Sequence, residues 1–422
     1  MRGRARQSRA ARWAAGLLLV GLVGCRTTVD SLGHDLPGDG GPEPPALRPL
    51  TGPATYPNAF RDLLGKSDAE IDAKIEAAFQ RLFYGDSTLE AIYFTVGNDQ
   101  ALIQDTLHGD IRTEGIGWGM MIGVQLDKRE EFDRLWRFAR ASLEFESGPN
   151  RGYFLSSCDV EGGVTPCVDP FGHQQFVTAL LFAHDRWGSA GAIDYGRDAQ
   201  ALLAVMRQKE AENGGVVAGV TNMFDATTKL VLDVPHSSAA NVTRPSIEMP
   251  AYYELWAQAT GDAFFTHAAE SAREHWKRAA HPSTGLWPVR ADFAGLPRPG
   301  SELFREEVYR TQLNLVLDQV WFARDAWHVE QSDRLLTFFS REGIDSYGKS
   351  YSLDGSNCVD CSRDGSLIAM NGTTALIARV SDRRAYIETV WNMEPPSGPP
   401  RYYTGLLHLL SLLVLSGNFT VY

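Results

Sequence analysis

Apolar residues recur at helical spacing along most of the chain, whereas the alternation typical of strands is confined to short stretches. The first predicted helix opens with a capping box at residues 67–70 and carries one apolar face over residues 71–82. Residues 115–126 are then small and apolar on every side, and residues 128–143 are amphipathic. The pattern therefore indicates a buried helix followed by a half-exposed one.

The same alternation of an apolar and an amphipathic helix continues to the C-terminus. The twelve predicted helices cover residues 67–82, 115–126, 128–143, 174–187, 194–209, 247–261, 264–280, 308–323, 329–341, 366–380, 382–392 and 402–415. Helices that are apolar all round need a ring of partners. We therefore predict an all-α fold, an (α/α)6 barrel in which six helical hairpins close into a toroid. An open solenoid is the alternative, and no fixed-length repeat favours it.

The N-terminus predicts export. Five arginines among the first 12 residues precede an apolar run that ends in Leu-Val-Gly before Cys25, and this run is too short to span a bilayer. Residues 1–24 are therefore predicted to be a signal peptide. The cleavage site resembles the lipobox of bacterial lipoproteins, which implies lipidation of Cys25 and a membrane anchor in the cell envelope. Arg26, in place of an aspartate, implies the outer membrane. An ordinary cleavage site with an incidental cysteine is the alternative.

Residues 25–57 are rich in Gly, Pro and Asp, so we expect a flexible tether before a folded body at residues 58–422. Removal of the signal peptide leaves 35 basic and 52 acidic residues, a net charge of −17. Such a surface repels phosphate backbones, which argues against nucleic acid as a partner. No exposed apolar stripe is evident, so a monomer is expected.

Four cysteines remain after Cys25, and an even number in an exported protein is typical of disulfides. We expect two local bridges, Cys158 with Cys167 and Cys358 with Cys361. A zinc site made by all four thiolates is the alternative, and it requires both loops to meet in space. The sequence predicts no other metal site and no cofactor.

Residues 110–121, Asp-Ile-Arg-Thr-Glu-Gly-Ile-Gly-Trp-Gly-Met-Met, place charged groups directly before an otherwise apolar helix. A carboxyl group in that position loses hydration, which raises its pKa and keeps it protonated, as a general acid requires. Glu114 is therefore a candidate acid. The alternative is that Glu114 only pairs with Arg112 and caps the helix.

The sequence of residues 110–121 resembles the general-acid motif of glycoside hydrolase family 8, in particular the branch of reducing-end xylose-releasing exo-oligoxylanases. Similar stretches occur at residues 96–99, 125–128, 183–188, 281–286, 401–403 and 415–419. The resemblance implies an inverting hydrolase of β-linked polysaccharide or oligosaccharide of xylan or glucan type, with Glu114 as the acid. In an inverting enzyme the second carboxylate stands roughly 6.5–9.5 Å from the first, so that a water fits between them.

The second carboxylate departs from the family pattern. The family motif has an aspartate three residues before an arginine, with a tyrosine between, and this chain has Glu307, Tyr309 and Arg310 there. The resemblance makes Glu307 the base, with Glu306 as the fallback, and gives Arg112, Tyr309 and Arg310 to the substrate site. Glutamate is one methylene longer, so its oxygens move about 1.5 Å towards the water, the length of one carbon–carbon bond.

Phe171 replaces the aspartate with which this branch holds the sugar, and Asp169 and His173 are the candidates to substitute for it. Trp118 and Tyr153 are candidates for cleft aromatics because of their neighbours. The Leu-His-Pro turn with which the exo-oligoxylanases block the cleft is absent near residues 362–365, which argues against exo-action. These changes keep a second hypothesis open, a catalytically impaired glycan-binding lipoprotein on the same barrel.

Overall fold

The computed structural model describes residues 45–53, 55–159 and 167–422, with the side chains of residues 158 and 159 excepted. The predicted signal peptide, Cys25 and the first part of the predicted tether lie outside these residues. The described part contains thirteen α-helices: α1 (Ala59–Leu64), α2 (Asp68–Tyr84), α3 (Thr113–Gln125), α4 (Arg129–Ser142), α5 (Pro170–Trp187), α6 (Tyr195–Glu212), α7 (Pro250–Thr260), α8 (Ala263–Ala279), α9 (Arg310–Trp321), α10 (Trp327–Glu342), α11 (Gly365–Thr374), α12 (Arg383–Asn392) and α13 (Arg401–Leu415). All twelve predicted helices are present, and the short α1 was not predicted.

The inner ring consists of α3, α5, α7, α9, α11 and α13, and each of these helices contacts the next. α13 contacts α3 in turn, so the ring is closed. Each outer helix packs on the inner helix that precedes it in the chain; the outer helices are α4, α6, α8, α10 and α12. The remaining outer helix, α2, packs on α13. The predicted (α/α)6 barrel is confirmed, and the open solenoid is wrong.

Sequence explains why α3 belongs to the inner ring. Every residue of α3 except Glu114 is buried, and glycines allow its backbone to approach its neighbours. A Cβ atom at Gly117 would lie 2.5 Å from the Cβ of Gln175 on α5, and one at Gly115 would lie 2.5 Å from the ring of Tyr402 on α13. These glycines therefore let α5 and α13 close around the helix that carries Glu114.

Two small antiparallel sheets flank the ring. One has the strand order β1 (Tyr93–Val96), β2 (Gln100–Asp105), β3 (Asp110–Arg112) and β4 (Ser157–Asp159), and the other has β5 (Leu303–Phe304), β6 (Ser350–Ser352) and β7 (Cys358–Asp360). β3 leads directly into α3, and β5 precedes α9 by a 3₁₀ turn at Glu306–Val308. Both sheets thus lie beside the N-terminal ends of inner helices.

The described part of the predicted tether is packed on the barrel, which corrects its assignment as a flexible segment. The Arg48 amide donates to the Ala259 carbonyl (2.9 Å) at the end of α7, and the Leu50 amide donates to the Asp185 carboxylate (3.0 Å) near the end of α5. Tyr56 donates its hydroxyl proton to the Phe419 carbonyl (3.2 Å). These partners come from distant parts of the chain, so local composition did not reveal them.

A disulfide joins Cys358 to Cys361, with 5.7 Å between the Cα atoms. Cys167 has no disulfide partner among the described side chains, and the Cys158 side chain lies outside them, so this second bridge stays a prediction. No group of metal-binding side chains occurs in the described residues. Within the same residues, no helix has the length and apolar character needed to cross a membrane.

Candidate active site

The N-terminal ends of the inner helices surround a cavity of about 580 Å³. Six carboxylates line it: Asp105, Glu114, Asp169, Glu306, Glu307 and Asp364. Five basic side chains lie among them: His108, Arg112, Arg244, Arg310 and Lys349. Such a concentration of acids and bases around one cavity is typical of a catalytic cleft.

Glu114 lies in the first turn of α3 and projects into this cavity. Arg310 on α9 donates a hydrogen bond to one of its carboxylate oxygens, and the Tyr402 hydroxyl on α13 donates to the other (3.3 Å). Burial raises the pKa of Glu114, and the positive charge of Arg310 only partly offsets that effect. The carboxyl group therefore retains its proton at higher pH than a solvated glutamate, as a general acid must.

Arg112 forms ion pairs with Asp110 and Asp105. Its Nε atom lies 2.9 Å from Asp110 Oδ1, and its Nη2 atom lies 3.3 Å from Asp105 Oδ2. The ion-pair partner of Glu114 is Arg310. Arg112 therefore lines the cavity, but it is not the ion-pair partner of Glu114 that the alternative interpretation required.

Glu306 and Glu307 reach the cavity from the turn before α9, the helix that lies across the ring from α3. Desolvation raises the pKa of Glu306, and the carboxylates of Asp364 and Glu114 raise it further. The Glu307 side chain is 47% exposed, and Arg305 Nη2 lies 3.8 Å from its Oε2 atom. Both candidates for the base are therefore in the cavity with Glu114.

Asp169 is held as an ionised acceptor at the start of α5. Its Oδ1 atom accepts hydrogen bonds from the Phe171 amide (2.8 Å) and from Arg244 Nη2 (2.9 Å). Burial acts to raise the pKa of Asp169, but Arg244 and Arg310 outweigh it, and the pKa is lowered. A charged oxygen in the cavity can accept a hydrogen bond from a sugar hydroxyl, as predicted for this residue.

The structure corrects the assignment of His173 as a possible sugar contact. The ring is fully buried, its Nδ1–H donates to the Asp169 carbonyl (2.9 Å), and its Nε2 accepts from the Phe154 amide (2.8 Å). Burial lowers the pKa of His173 to about 4, so the ring is neutral near pH 7. His173 therefore fixes the start of α5 from within the core.

Three predicted contact residues are likewise behind the cavity wall. Tyr153 is fully buried and donates to the Thr221 carbonyl (2.9 Å), and Tyr309 is fully buried and donates to the Lys349 carbonyl. Trp118 is 1% exposed. Their aromatic rings pack in the core and do not line the cavity, so their assignment as direct sugar contacts is corrected.

Phe171 does not enter the cavity. It is 1% exposed and packs edge-on against Trp118, with 5.3 Å between the ring centroids. The guanidinium carbon of Arg310 lies 4.1 Å from the centroid of Phe171. The phenyl ring therefore supports the arginine that holds Glu114.

Sequence reasoning missed several cavity residues: Asp105, His108, Arg244, Lys349, Asp364 and Tyr403. A signal was available for one of them. Asp364 caps α11, since its Oδ1 accepts from the amides of Ser366 (2.8 Å) and Leu367 (3.1 Å). An aspartate before an apolar inner helix marks the cavity end of that helix, as Asp169 does for α5.

The model of glycosyl hydrolases family 8 matches residues 96–417. The chain belongs to glycoside hydrolase family 8. As a family 8 member it is a glycosidase, an enzyme that hydrolyses O-glycosyl bonds. The reducing-end xylose-releasing exo-oligoxylanase Rex8A of Paenibacillus barcinonensis is 34% identical over 87% of this chain and 97% of its own length. Endoglucanase 2 of Ruminiclostridium josui is 24% identical over 87% of this chain and 76% of its own.

Solved structures agree with this family 8 assignment. The structure of Rex8A from Paenibacillus barcinonensis complexed with xylose is similar with a TM-score of 0.82 and 34% identity, over 87% of this chain and 98% of that one. A family 8 xylobiose complex from Teredinibacter turnerae gives a TM-score of 0.82 and 35% identity over the same shares.

Proposed function

We propose that this glycosidase hydrolyses β-linked xylan- or glucan-type oligosaccharide or polysaccharide with inversion of configuration. Glu114 is the general acid that protonates the leaving oxygen, and Glu307 is the general base that draws a proton from the attacking water. The observation that carries the proposal is Glu114 itself, a carboxyl group whose pKa is raised by desolvation in a cavity that also holds the ionised Asp169.

The charge of Asp169 and the positions of Glu307 and Glu306 in the cavity support the roles that we propose for them. Asp169 carries a full negative charge beside Glu114 and serves as the acceptor for a sugar hydroxyl. Glu307 occupies the motif position of the base, and Glu306 is the alternative because it reaches the same cavity. Replacement of the true base, but not of its neighbour, should be rescued by azide, a small nucleophile that needs no deprotonation.

Xylan-type substrates are favoured over glucans by the relatives. The Rex8A protein and a Halalkalibacterium halodurans protein that is 33% identical are both named as reducing-end xylose-releasing exo-oligoxylanases. The relatives named as endoglucanases are 24–26% identical. We therefore propose xylo-oligosaccharides as the first substrates to test, with endo or exo action to be read from the product pattern.

The experiment is to follow the hydrolysis of xylohexaose by proton NMR. Inversion of a β-linkage releases the α-anomer first. Glu114→Gln should lower kcat by at least about a thousandfold, because glutamine cannot protonate the leaving oxygen. Glu302→Gln, an exposed acid outside the cavity lining, is the matched control. Initial release of the β-anomer, or full activity of Glu114→Gln, would overturn the proposal.

A second candidate function is glycan binding with impaired catalysis. It is favoured by the exposure of Glu307, which leaves the base more hydrated than Glu114 and paired only loosely with Arg305. This function predicts that xylohexaose or cellohexaose binds by calorimetry and is not cleaved over long incubation. Turnover that is abolished by Glu307→Gln excludes it.

We also propose that the enzyme is lipid-anchored at Cys25 in the bacterial cell envelope, on the outer membrane. The packed segment at residues 45–53 supports this arrangement, because its partners belong to the C-terminal ends of α5 and α7, opposite the cleft. An anchor upstream of that segment leaves the cleft accessible. Cys25→Ser should move the protein from the membrane fraction to the soluble fraction, and an unchanged distribution contradicts the anchor.

A further inference from the structure

We infer that the turn after β2 forms a sugar-binding rim of the cleft, in which His108 accepts a hydrogen bond from a substrate hydroxyl. The inference rests on the proposed function and adds a subsite to it. The rim consists of Leu107 and His108 on one loop and Pro399 and Pro400 on the other, and all four side chains line the cavity that holds Glu114.

A buried carboxylate fixes the histidine. The Asp105 side chain is 3% exposed, and its Oδ2 atom lies 2.7 Å from His108 Nδ1. Its Oδ1 atom accepts hydrogen bonds from the amides of Leu107 (3.0 Å) and His108 (3.2 Å). Because a carboxylate only accepts hydrogen bonds, Nδ1 is the ring nitrogen that carries a proton towards Asp105, and in the neutral form of the ring Nε2 is an acceptor.

The Nε2 atom of His108 is accessible to a ligand. The His108 side chain is 55% exposed, and within the described residues no protein hydrogen bond to Nε2 is found. A histidine whose ring is oriented by a buried acid while its other nitrogen faces solvent is preorganised for a partner. A sugar hydroxyl, which both donates and accepts, fits that nitrogen.

The neighbouring groups supply an apolar surface. Leu107 is 56% exposed although it is aliphatic, and Pro399 and Pro400 are exposed beside it. The two loops are tied together, since the Thr106 hydroxyl donates to the Pro399 carbonyl (2.9 Å). An apolar patch next to one oriented polar group suits a pyranose ring, whose C–H face packs on apolar side chains while its hydroxyls form hydrogen bonds.

The occupant is therefore a sugar unit of the chain that is bound in the cleft, because the rim is continuous with the cavity around Glu114. Only substrates long enough to reach the rim should benefit from it. This length dependence separates a subsite from a structural role, since a distorted cleft would weaken substrates of every length.

The test compares the wild-type enzyme with His108→Gln and Leu107→Asp on xylo-oligosaccharides of two to six units. We expect kcat/KM on the longest substrate to fall by about three- to tenfold for His108→Gln, the loss of one hydrogen bond, mainly through KM. The shortest cleaved substrate should change by less than twofold. His267→Gln, an exposed histidine on α8, is the matched control.

The substitutions His108→Gln and Leu107→Asp are then each combined with Glu114→Gln, and the binding of xylohexaose to these variants is measured by calorimetry. Weaker binding after His108→Gln supports the rim. Unchanged binding, or an equal loss for all chain lengths, overturns the rim and leaves the proposed function standing. If Glu114→Gln binds neither xylohexaose nor cellohexaose and the wild-type enzyme cleaves neither, the proposed function fails and the rim fails with it.

Discussion

Arg310 on α9 donates a hydrogen bond to the carboxylate of Glu114 on α3, and so links two helices that lie across the ring from each other. Arg310 is 4% exposed, and its guanidinium group rests on the ring of Phe171. Arg310 lowers the pKa of Glu114, while burial raises it by more. The two largest influences on the proton affinity of Glu114 are therefore desolvation and the charge of Arg310, and they oppose each other.

Removal of this cation should move the pH profile. An acid catalyst loses activity as the pH rises through its pKa, so Arg310→Gln, which raises the pKa of Glu114 further, should shift the basic limb of kcat/KM upwards by on the order of one pH unit. The measurement is the pH dependence of kcat/KM on xylohexaose. Arg298→Gln, an exposed arginine, serves as the control, and a basic limb that stays in place or moves down contradicts the assigned role of Arg310.

Asp169→Asn should move the same limb in the opposite direction. The negative charge of Asp169 raises the pKa of Glu114, so its removal lowers that pKa and shifts the basic limb down. Asparagine still caps a helix, and the fold should be retained. Loss of a charge-assisted hydrogen bond to the sugar should also lower kcat/KM by about ten- to a hundredfold. Asp169→Ala, which removes the cap as well, separates the loss of stability from the loss of activity.

The fold could be predicted because the burial of each helix can be judged from its own residues. α3 has a single charged residue at its start, and α4 has charges on one face only, so burial can be read locally. The closure of the ring rests on the contact between α13 and α3, which joins distant parts of the chain. The segment at residues 45–53 was predicted wrongly for the same reason, because its partners are remote.

The site was predictable only in part. Glu114 and Asp169 stand at helix starts, where sequence position fixes which end of the ring a side chain occupies. His173 stands one turn after Asp169, yet its ring points into the core, and no local pattern distinguishes these two directions. Arg244 and His108 lie on loops, where spacing carries no periodic signal.

Glu248 should make the fold less stable as the pH rises from 4.5 towards 8. The carboxyl group is fully buried, accepts from the Thr243 hydroxyl (2.8 Å), and burial raises its pKa from 4.5 to about 8. The folded state thus holds the proton more tightly, so this contribution is complete below pH 4.5 and is lost as the pH rises towards 8.

Glu248→Gln stays neutral at every pH and should remove that loss. The free energy of unfolding of the variant relative to the wild-type protein should increase between pH 5 and pH 8, by on the order of a few kcal/mol, as measured by urea titration. Glu76→Gln, on the exposed face of α2, should show no such trend. A constant difference across this range contradicts a buried, protonated Glu248.

His173→Ala should affect stability in the acid range. Its pKa in the fold is about 4 against an ordinary 6.5, so the unfolded chain binds the proton first, and the stability present above pH 6.5 is lost as the pH falls towards 4. At pH 7 the variant should lose about 1–3 kcal/mol, since the Phe154 amide is left without its acceptor. Because the variant has no proton to take up, its deficit relative to the wild-type protein should shrink between pH 7 and pH 4. A raised KM with unchanged stability would instead mean that His173 contacts the sugar directly.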